Sequence, residues 1–434
     1  MRAWLRDTAG GLSATYWYLW TGLLINKVGG FAVLFLSLYL TSQRGAGTAQ
    51  AGLIVGTYGI GGLLGTLAGG VLTDRWGRRR TLLVSHFATV AALCLLAFNT
   101  QLAVIAALCA LLGVAQSMAA PAFVAAIIDV TPADKRSRAF NLQFWALNLG
   151  LAGASLLAGL LAQWSYQALF LIDAGCTLAT GVLIAWKVPE TLRTLPPPSL
   201  SPSRSPLPSP LPSPWPSLVS SSAQKLRRGG GLGTVLTDRI FLVFVGLTLL
   251  QALIYTQAST IVPLAMHADG LSPSAYGSVV ALGGALIVLG QLFVPRLIDG
   301  RRKARVLALA LLLNGAGFAV LALADHVALY LTAAVIWTVG SMLAAPPNAE
   351  INSELAPLAL RGRYQAVFFL TFPAASFLAP SLGGAGLQYL GDAHWLVVGA
   401  LGAVAAVLHL SAGPSRERRV AAIRSDTAAI ANVS

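Results

Sequence analysis

Charged residues are scarce in this chain of 434 residues: only 10% are Asp, Glu, Lys or Arg, while 56% are hydrophobic. Soluble domains carry about 25% charged residues, and their surfaces need more polar side chains than this sequence offers. The scarcity therefore excludes a soluble globule and indicates an integral membrane protein.

Cysteine and clustered metal ligands are also lacking. Cys94, Cys109 and Cys176 lie within apolar stretches and are interpreted as small buried side chains, without a disulfide framework. The five histidines are scattered outside any HExxH pattern, and no GxxxxGK[ST] loop is present. The sequence therefore disfavours a membrane-embedded enzyme and an ATP-driven pump, and we expect no cofactor.

Long apolar runs occupy most of the chain. A membrane-spanning helix needs about 20 apolar residues, and the Leu and Ala content of the runs favours helices over a β-barrel. We expect no cleavable signal, because the first run is too long and no small-residue cleavage site follows it. The sequence predicts twelve spans, at 15–41, 50–72, 81–99, 102–128, 138–162, 166–187, 239–266, 274–297, 304–324, 327–349, 362–388 and 393–412.

The net charge of +14 is unevenly placed. Apart from Lys27 and Arg44, the Lys and Arg residues lie in the terminal segments or in loops that alternate to one side. The opposite loops, such as "AFNTQL" and "HADGLSP", contain neither. By the positive-inside rule, both termini are expected in the cytoplasm of a bacterial plasma membrane. The basic charge then sets topology, and no nucleic acid is expected as a partner.

A proline-rich stretch divides the chain. Residues 196–216 contain ten prolines in 21 positions, which is incompatible with a helix or a strand and favours an extended linker. We prefer a plain spacer, with a partner-binding ligand as the alternative. The predicted domains are an N-terminal six-helix bundle (1–189), a cytoplasmic linker (190–233) and a C-terminal six-helix bundle with a basic tail (234–434).

The two halves repeat each other without a gap at an offset of 225 residues. Charged and proline matches at one constant offset are informative even in an apolar sequence. They include Asp74 with Asp299, Pro121 with Pro346, Pro132 with Pro357, and Gln163 with Gln388. Six spans per half give both halves one orientation, and such parallel repeats are typical of transporters with a substrate site between the halves.

The stretch "GGVLTDRWGRRRTLL" (69–83) resembles the loop 2–3 motif of the major facilitator superfamily. The residues that fill the motif are Gly70, Asp74, Arg75, Gly77, Arg78 and Arg79. A degraded copy, "RLIDGRRKARVL", follows in the second half. The resemblance implies an all-α membrane fold of twelve helices in two six-helix halves. It also implies that the motif stabilises an outward-open state by bridging neighbouring helices.

We expect Asp74, Arg78 and Asp129 to form this gating set. Arg78 follows Asp74 at a helical i,i+4 spacing, which predicts a local ion pair, and Asp129 ends span 4 at the same depth. The second half repeats the set as Asp299, Lys303 and Glu354. Pairing in one state and not in the other would bias a two-state equilibrium. Arg75, Arg79 and Arg80 are explained by topology alone.

The segment "LLGVAQSMAAPAFVAAIIDVTPADKRSRAF" resembles spans 4 and 5 of the drug:proton antiporter branch. Two positions depart from that branch: Cys109 replaces its usual arginine, and Ala154 follows Gly153 where the branch has proline. Span 1, with Asn26 and Lys27, resembles a sub-branch of bacterial efflux proteins. The resemblance implies export of drug-like compounds against protons.

Three charged residues are candidates for coupling. Lys27 is expected ~16 Å into the membrane at about 1.5 Å per residue, where a cation costs at least ~2.5 kcal/mol. It either faces the interior as a functional group or forms a static ion pair. Asp173 in span 6 is a coupling or a structural carboxylate, the structural role being favoured. Glu350, near the cytoplasmic end of span 10, is a coupling group or part of a solvated rim.

Polar and aromatic side chains on predicted inner faces suggest a substrate cavity. They are Asn26, Asn141, Trp145, Asn148, Gln251, Tyr255, Gln365 and Phe369. A mostly apolar wall with a few polar groups suits a small, weakly polar organic solute. We therefore predict a monomeric secondary transporter, embedded in the lipid bilayer, that exports such compounds by proton antiport. A metabolite importer or facilitator is the alternative, and an enzyme or receptor is disfavoured.

Overall fold

The computed structural model describes residues 11–192, 232–290, 293–357 and 360–431. This part of the chain is almost entirely helical and contains no strand. Twelve of its helical segments are long and apolar enough to cross a membrane, which confirms the predicted all-α, twelve-span fold. Numbered 1 to 12, the spans are Ala14–Arg44, Thr48–Arg75, Arg78–Phe98, Leu102–Val130, Arg138–Trp164, Tyr166–Lys187, Arg239–Thr260, Pro273–Gly290, Lys303–Leu323, Val327–Leu355, Gly362–Leu390 and Ala393–Ile423.

Span 1 is two helices, Ala14–Val28 and Ala32–Arg44, separated by a break that the apolar pattern did not predict. Gly29 and Gly30 lie in the break, and glycine is among the weakest helix formers. The break exposes the amide groups that begin the second helix, because they have no carbonyl one turn earlier to bond.

Spans 7 and 11 are also interrupted. Arg239–Thr260 is followed by Val262–Ala268, and Arg361–Phe369 by Thr371–Leu390. Prolines explain both interruptions, because a proline nitrogen cannot donate to the carbonyl four residues earlier. Pro263 follows the first break and Pro373 follows the second.

Two faces of contact join the N-terminal and C-terminal halves. Span 2 packs on span 11, and span 5 packs on span 8. A side chain at Gly52 would overlap the carbonyl of Pro380, so the first of these pairs meets backbone to backbone. The packing covers residues 48–62 against 373–388 and residues 150–163 against 273–284.

These contacts lie at one end of the bundle, which we call the closed end. The other end, which carries the loops rich in Arg and Lys, is called the basic end. Between described residues of the two halves, we find no hydrogen bond or ion pair near the basic end. The space between the halves is therefore open toward the basic end.

The segments beside the spans differ from the prediction in two ways. The helix of span 12 does not stop near residue 412 but continues through Pro414 to Ala431. A short helix, Leu232–Thr237, precedes span 7. The proline-rich stretch 196–216 lies outside the described residues.

Candidate functional site

At the basic end of the N-terminal half, Arg78 pairs with Asp129. Its Nε lies 2.9 Å from Asp129 Oδ2, and its Nη1 donates to the carbonyl of Thr73 at 3.2 Å. Asp74 is exposed and makes no ion pair in the described part of the chain. The predicted Asp74–Arg78 pair is absent because Gly77, with φ of +107°, ends the helical register between them.

The C-terminal half repeats the arrangement 225 residues later. Lys303 Nζ lies 2.8 Å from Glu354 Oε2 and 2.8 Å from Glu350 Oε2. Lys303 and Glu354 are the equivalents of Arg78 and Asp129, and Asp299 is exposed like Asp74. Glu350 therefore belongs to this ion-pair cluster in the present conformation.

Two residues that sequence reasoning assigned to the linker contact the loop 2–3 motif. Glu190 Oε1 accepts the backbone amides of Arg78, at 2.8 Å, and Arg79, at 3.4 Å, which begin span 3. Thr191 Oγ1 donates to Asp129 Oδ2 at 3.0 Å. An acidic residue close behind span 6 was the available signal, since helix N-termini favour carboxylates.

The charge of Glu190 is held by these amides. Burial acts to raise the pKa of this carboxyl group, but backbone donation from Leu192, Arg78, Arg79 and Arg80 outweighs it and lowers the pKa below its ordinary value. A carboxylate that accepts several N–H groups is stabilised in its charged form. Glu190 therefore caps span 3 as an anion at neutral pH.

The remaining motif residues have separate surroundings. Gly70 has open space around it, and Arg75 is exposed. Arg79 Nη2 donates to the carbonyl of Ala185 at 2.5 Å, so this arginine also fastens span 3 to span 6.

Deeper in the N-terminal half, Asp173 caps the broken span 1. Its Oδ2 accepts the amide of Ala32 at 3.1 Å, and the side chain is only 2% exposed. Close packing of spans 1 and 6 allows this contact, because a side chain at Gly29 would overlap Cys176. The carboxylate thus satisfies an amide that the helix break leaves without an intrahelical partner.

Lys27 lies on the wall of the space between the halves. Its side chain is accessible, although protein surrounds it densely and Asp173 is close enough to interact with its charge. The described residues contain no ion pair between these two side chains. Asn26 Nδ2 donates to Thr177 Oγ1 at 3.0 Å, which adds a second polar contact between spans 1 and 6.

In the C-terminal half, two amide pairs connect spans 7, 10 and 11. Asn348 Nδ2 donates to Gln251 Oε1 at 2.7 Å, and Asn352 Nδ2 donates to Gln365 Oε1 at 2.9 Å. The Oδ1 atoms of both asparagines are buried without a hydrogen-bond partner among the described residues. These two acceptors stand one helical turn apart on span 10.

The aromatic candidates are accessible, whereas the polar candidates of span 5 differ from each other. Trp145 is 40% exposed, Tyr255 43% and Phe369 54%. Asn141 is exposed, but Asn148 is buried and donates to the carbonyl four residues earlier in its own helix at 2.8 Å. Asn148 is thus committed to its own helix in this conformation.

Comparison with known protein families agrees with this architecture. The family model described as Major Facilitator Superfamily matches residues 19–380 and 248–432. The chain belongs to the Major Facilitator Superfamily. It is a multi-pass membrane transporter and not an enzyme, and its substrate is a small molecule.

Relatives in this superfamily carry several printed functions. The chain is 26% identical over 374 residues to the uncharacterised MFS-type transporter YttB of Bacillus subtilis, covering 85% of this chain and 87% of the relative. It is 24% identical to a Na⁺, Li⁺, K⁺/H⁺ antiporter of Planococcus maritimus, covering 80% and 83%. It is 22% identical to the multidrug resistance protein MdtH of Klebsiella pneumoniae, covering 86% and 88%. A shorter match, over 38% of this chain and 37% of the relative, is 28% identical to the 4-hydroxybenzoate transporter PcaK of Pseudomonas aeruginosa.

Solved structures show the same fold. A mutant of the peptide transporter POT, crystallised with sulfate, superposes with a TM-score of 0.74 at 18% identity. The match covers 94% of this chain and 96% of that structure. At this identity the likeness concerns the fold alone.

Proposed function

We propose that this transporter exports small organic compounds of the drug or antibiotic type by alternating access, driven by proton antiport. The observation that carries the proposal is the accessible Lys27 on the wall between the halves, close to the buried Asp173 but without a direct ion pair. An ionisable residue at membrane depth is expensive to keep and commonly marks a substrate or ion pathway.

In our proposal the basic end lies in the cytoplasm of a bacterial cell, and the protein acts as a monomer. The positive-inside rule supports this orientation, which puts both termini on the cytoplasmic side. The present conformation is then open to the cytoplasm and ready to load an exported compound. The full-length similarities to an antiporter and to a multidrug resistance protein support export by antiport.

The proposed substrate is an amphiphile with an aromatic or apolar body and an N–H or O–H donor. Accessible Trp145, Tyr255 and Phe369 would contact the apolar body. The unpartnered Oδ1 atoms of Asn348 and Asn352 would accept hydrogen bonds from its donors. Burying these acceptors beside a ligand without donors would cost free energy, which gives the site its selectivity.

Coupling requires that proton and substrate oppose each other. We propose that Asp173 carries the proton and that Lys27 senses it, because protonation removes a negative charge near the lysine. The antiport cycle then follows from binding linkage: a substrate that favours the unprotonated carboxylate releases the proton when it binds, and the reverse holds equally.

Proteoliposomes that contain the purified protein and an internal pH dye test the proposal. The probe is chloramphenicol, a neutral aromatic compound with N–H and O–H donors. We expect its addition to move protons across the membrane in wild-type vesicles and in Lys187→Met vesicles, whose exposed lysine lies at the end of span 6. Lys27→Met should abolish the signal. No probe-dependent proton movement from a wider panel of aromatic amphiphiles would remove the antiport claim.

Growth of an efflux-deficient bacterial host tests the direction. Cells that express the wild-type protein should tolerate a higher concentration of at least one compound in an antibiotic panel than cells with an empty vector. Cells that express Asp74→Asn should fall between the two. Equal sensitivity of all three strains would count against export.

A metabolite importer is the second candidate, favoured by the partial match to a 4-hydroxybenzoate transporter. The two candidates differ in direction: an importer accumulates a labelled aromatic acid in energised cells, whereas the exporter lowers the cellular content of its substrate.

A further inference from the structure

A second cavity, of about 360 Å³, lies at the basic end of the C-terminal half. The loop before span 9, span 10 and span 12 enclose it. Its basic lining residues are Arg301, Arg302, Lys303 and Arg416, and Ile351 and Val420 contribute apolar walls. None of the residues proposed above to contact the transported compound lines this cavity.

Arg416 is the most informative of these residues. Its side chain is only 4% exposed, its Nη2 donates to the carbonyl of His409 at 2.8 Å, and its guanidinium lies 5.9 Å from the ring centroid of Phe244. No carboxylate lies within ion-pair distance of it in the described part of the chain. A buried guanidinium without a counter-charge is costly, and an anion in the adjoining cavity would compensate it.

The cavity carries a surplus of positive charge. Two carboxylates also line it, but Glu354 is occupied by Lys303 at 2.8 Å and Glu417 is exposed. Arg301 and Arg302 are exposed and make no ion pair with any described residue. Several guanidinium groups therefore remain available to an incoming anion.

We propose that this cavity binds a phosphate group. Guanidinium groups match phosphate oxygens with paired, charge-assisted hydrogen bonds. Basic pockets between membrane-spanning helices are a known setting for anionic lipid headgroups, and the apolar walls suit the glycerol portion of such a lipid. Free inorganic phosphate presents the same chemistry without the apolar part. Because Lys303 belongs to both the cavity and the Glu350–Glu354 ion-pair cluster, occupancy also adds a third partner to that cluster.

The test measures thermal unfolding of the full chain, purified in detergent and depleted of lipid. Phosphatidylglycerol, phosphatidylcholine, sodium phosphate and sodium chloride are titrated separately at matched ionic strength. The test variant is the double substitution Arg301→Gln with Arg302→Gln. The matched control is Arg305→Gln with Arg418→Gln, which removes the same charge from exposed arginines that do not line the cavity.

We expect phosphatidylglycerol, but not phosphatidylcholine or chloride, to raise the unfolding temperature of the wild-type protein. The test variant should need about tenfold more lipid for half the effect, and the control variant should respond like the wild type. Stabilisation by sodium phosphate as well would identify the phosphate group alone as the ligand, and a response to the lipid alone would identify a headgroup site.

Arg416→Gln is a further test variant, and it should weaken binding at least as much as the double substitution. If it does not fold, the double variant still decides the question. The proposal is overturned if neither phosphate compound stabilises the protein, or if the control variant loses as much affinity as the test variant. Neither outcome depends on the transported substrate, so this test stands apart from that of the proposed function.

Discussion

Gln163 and Gln388 occupy equivalent positions in the two halves, and each bonds to the start of a helix in the other half. Gln163 Nε2 donates to Ser274 Oγ, and Gln388 Oε1 accepts the amide of Ala49 at 3.0 Å. Ser274 is itself the equivalent of Ala49, 225 residues later. The duplication has therefore preserved one contact twice across the closed end, whereas the ion pairs of the basic end stay within their own halves.

Removing both glutamine contacts should open the closed end. A hydrogen bond contributes about 0.5–1.5 kcal/mol, so the variant Gln163→Ala with Gln388→Ala should shift the ratio of the two states by about tenfold. Electron paramagnetic resonance between spin labels at Thr100 and Ala268, in a background without native cysteines, would show a new longer distance.

The control for this measurement is Gln101→Ala, which removes an exposed glutamine from the closed end without a side-chain contact between the halves. It should leave the distances unchanged. An unchanged distribution in the double variant would show that backbone packing of spans 2 and 11 alone holds this end closed.

Gly77 and Gly70 provide a second pair of variants within one motif. Gly77 has φ of +107°, and a side chain there would overlap the Glu190 carboxylate, whereas Gly70 is helical with open space around it. Gly77→Ala should lose about 1–3 kcal/mol of stability through backbone strain. Gly70→Ala should be neutral or gain about 0.5–1 kcal/mol. Thermal unfolding measures both, and equal effects would contradict this account.

The sequence predicted this fold more completely than it predicted the site. Length and composition identified the spans because lipid leaves a helix few alternatives, and the offset of 225 paired Lys303 with Glu354 before any coordinates. The break at Gly29 and the cap by Asp173 depend on packing between spans 1 and 6, which no periodicity reports. Asp74 was expected to pair with Arg78 from their spacing alone, and the turn at Gly77 prevented it.

Glu190 gives a prediction for pH dependence. Its pKa in the folded protein is below its ordinary value, so its charge stabilises the fold above the unfolded pKa of about 4.3, and this contribution is lost as the pH falls through the lower folded pKa. Glu190→Gln should therefore unfold at a lower temperature than the wild type at pH 7, and the gap should close below about pH 4. Glu417→Gln, at an exposed position, should show no such gap. A gap that persists unchanged in acid would assign the effect to shape and not to charge.

Asp173 can be separated into a structural and a coupling role by two substitutions. Asp173→Asn keeps an oxygen that can accept the amide of Ala32, so the helix break stays capped and the protein should fold with near wild-type stability. Asp173→Leu removes the acceptor and should cost about 1–3 kcal/mol, because a buried amide loses its partner. If Asp173 carries the coupling proton, the Asn variant should still bind the transported compound but should no longer move protons with it. Asp325→Asn, at an exposed loop of the closed end, is the control and should retain both activities. Full proton coupling in Asp173→Asn, together with loss of stability in Asp173→Leu, would leave Asp173 a purely structural cap and move the search for the coupling group to Lys27 and its other neighbours.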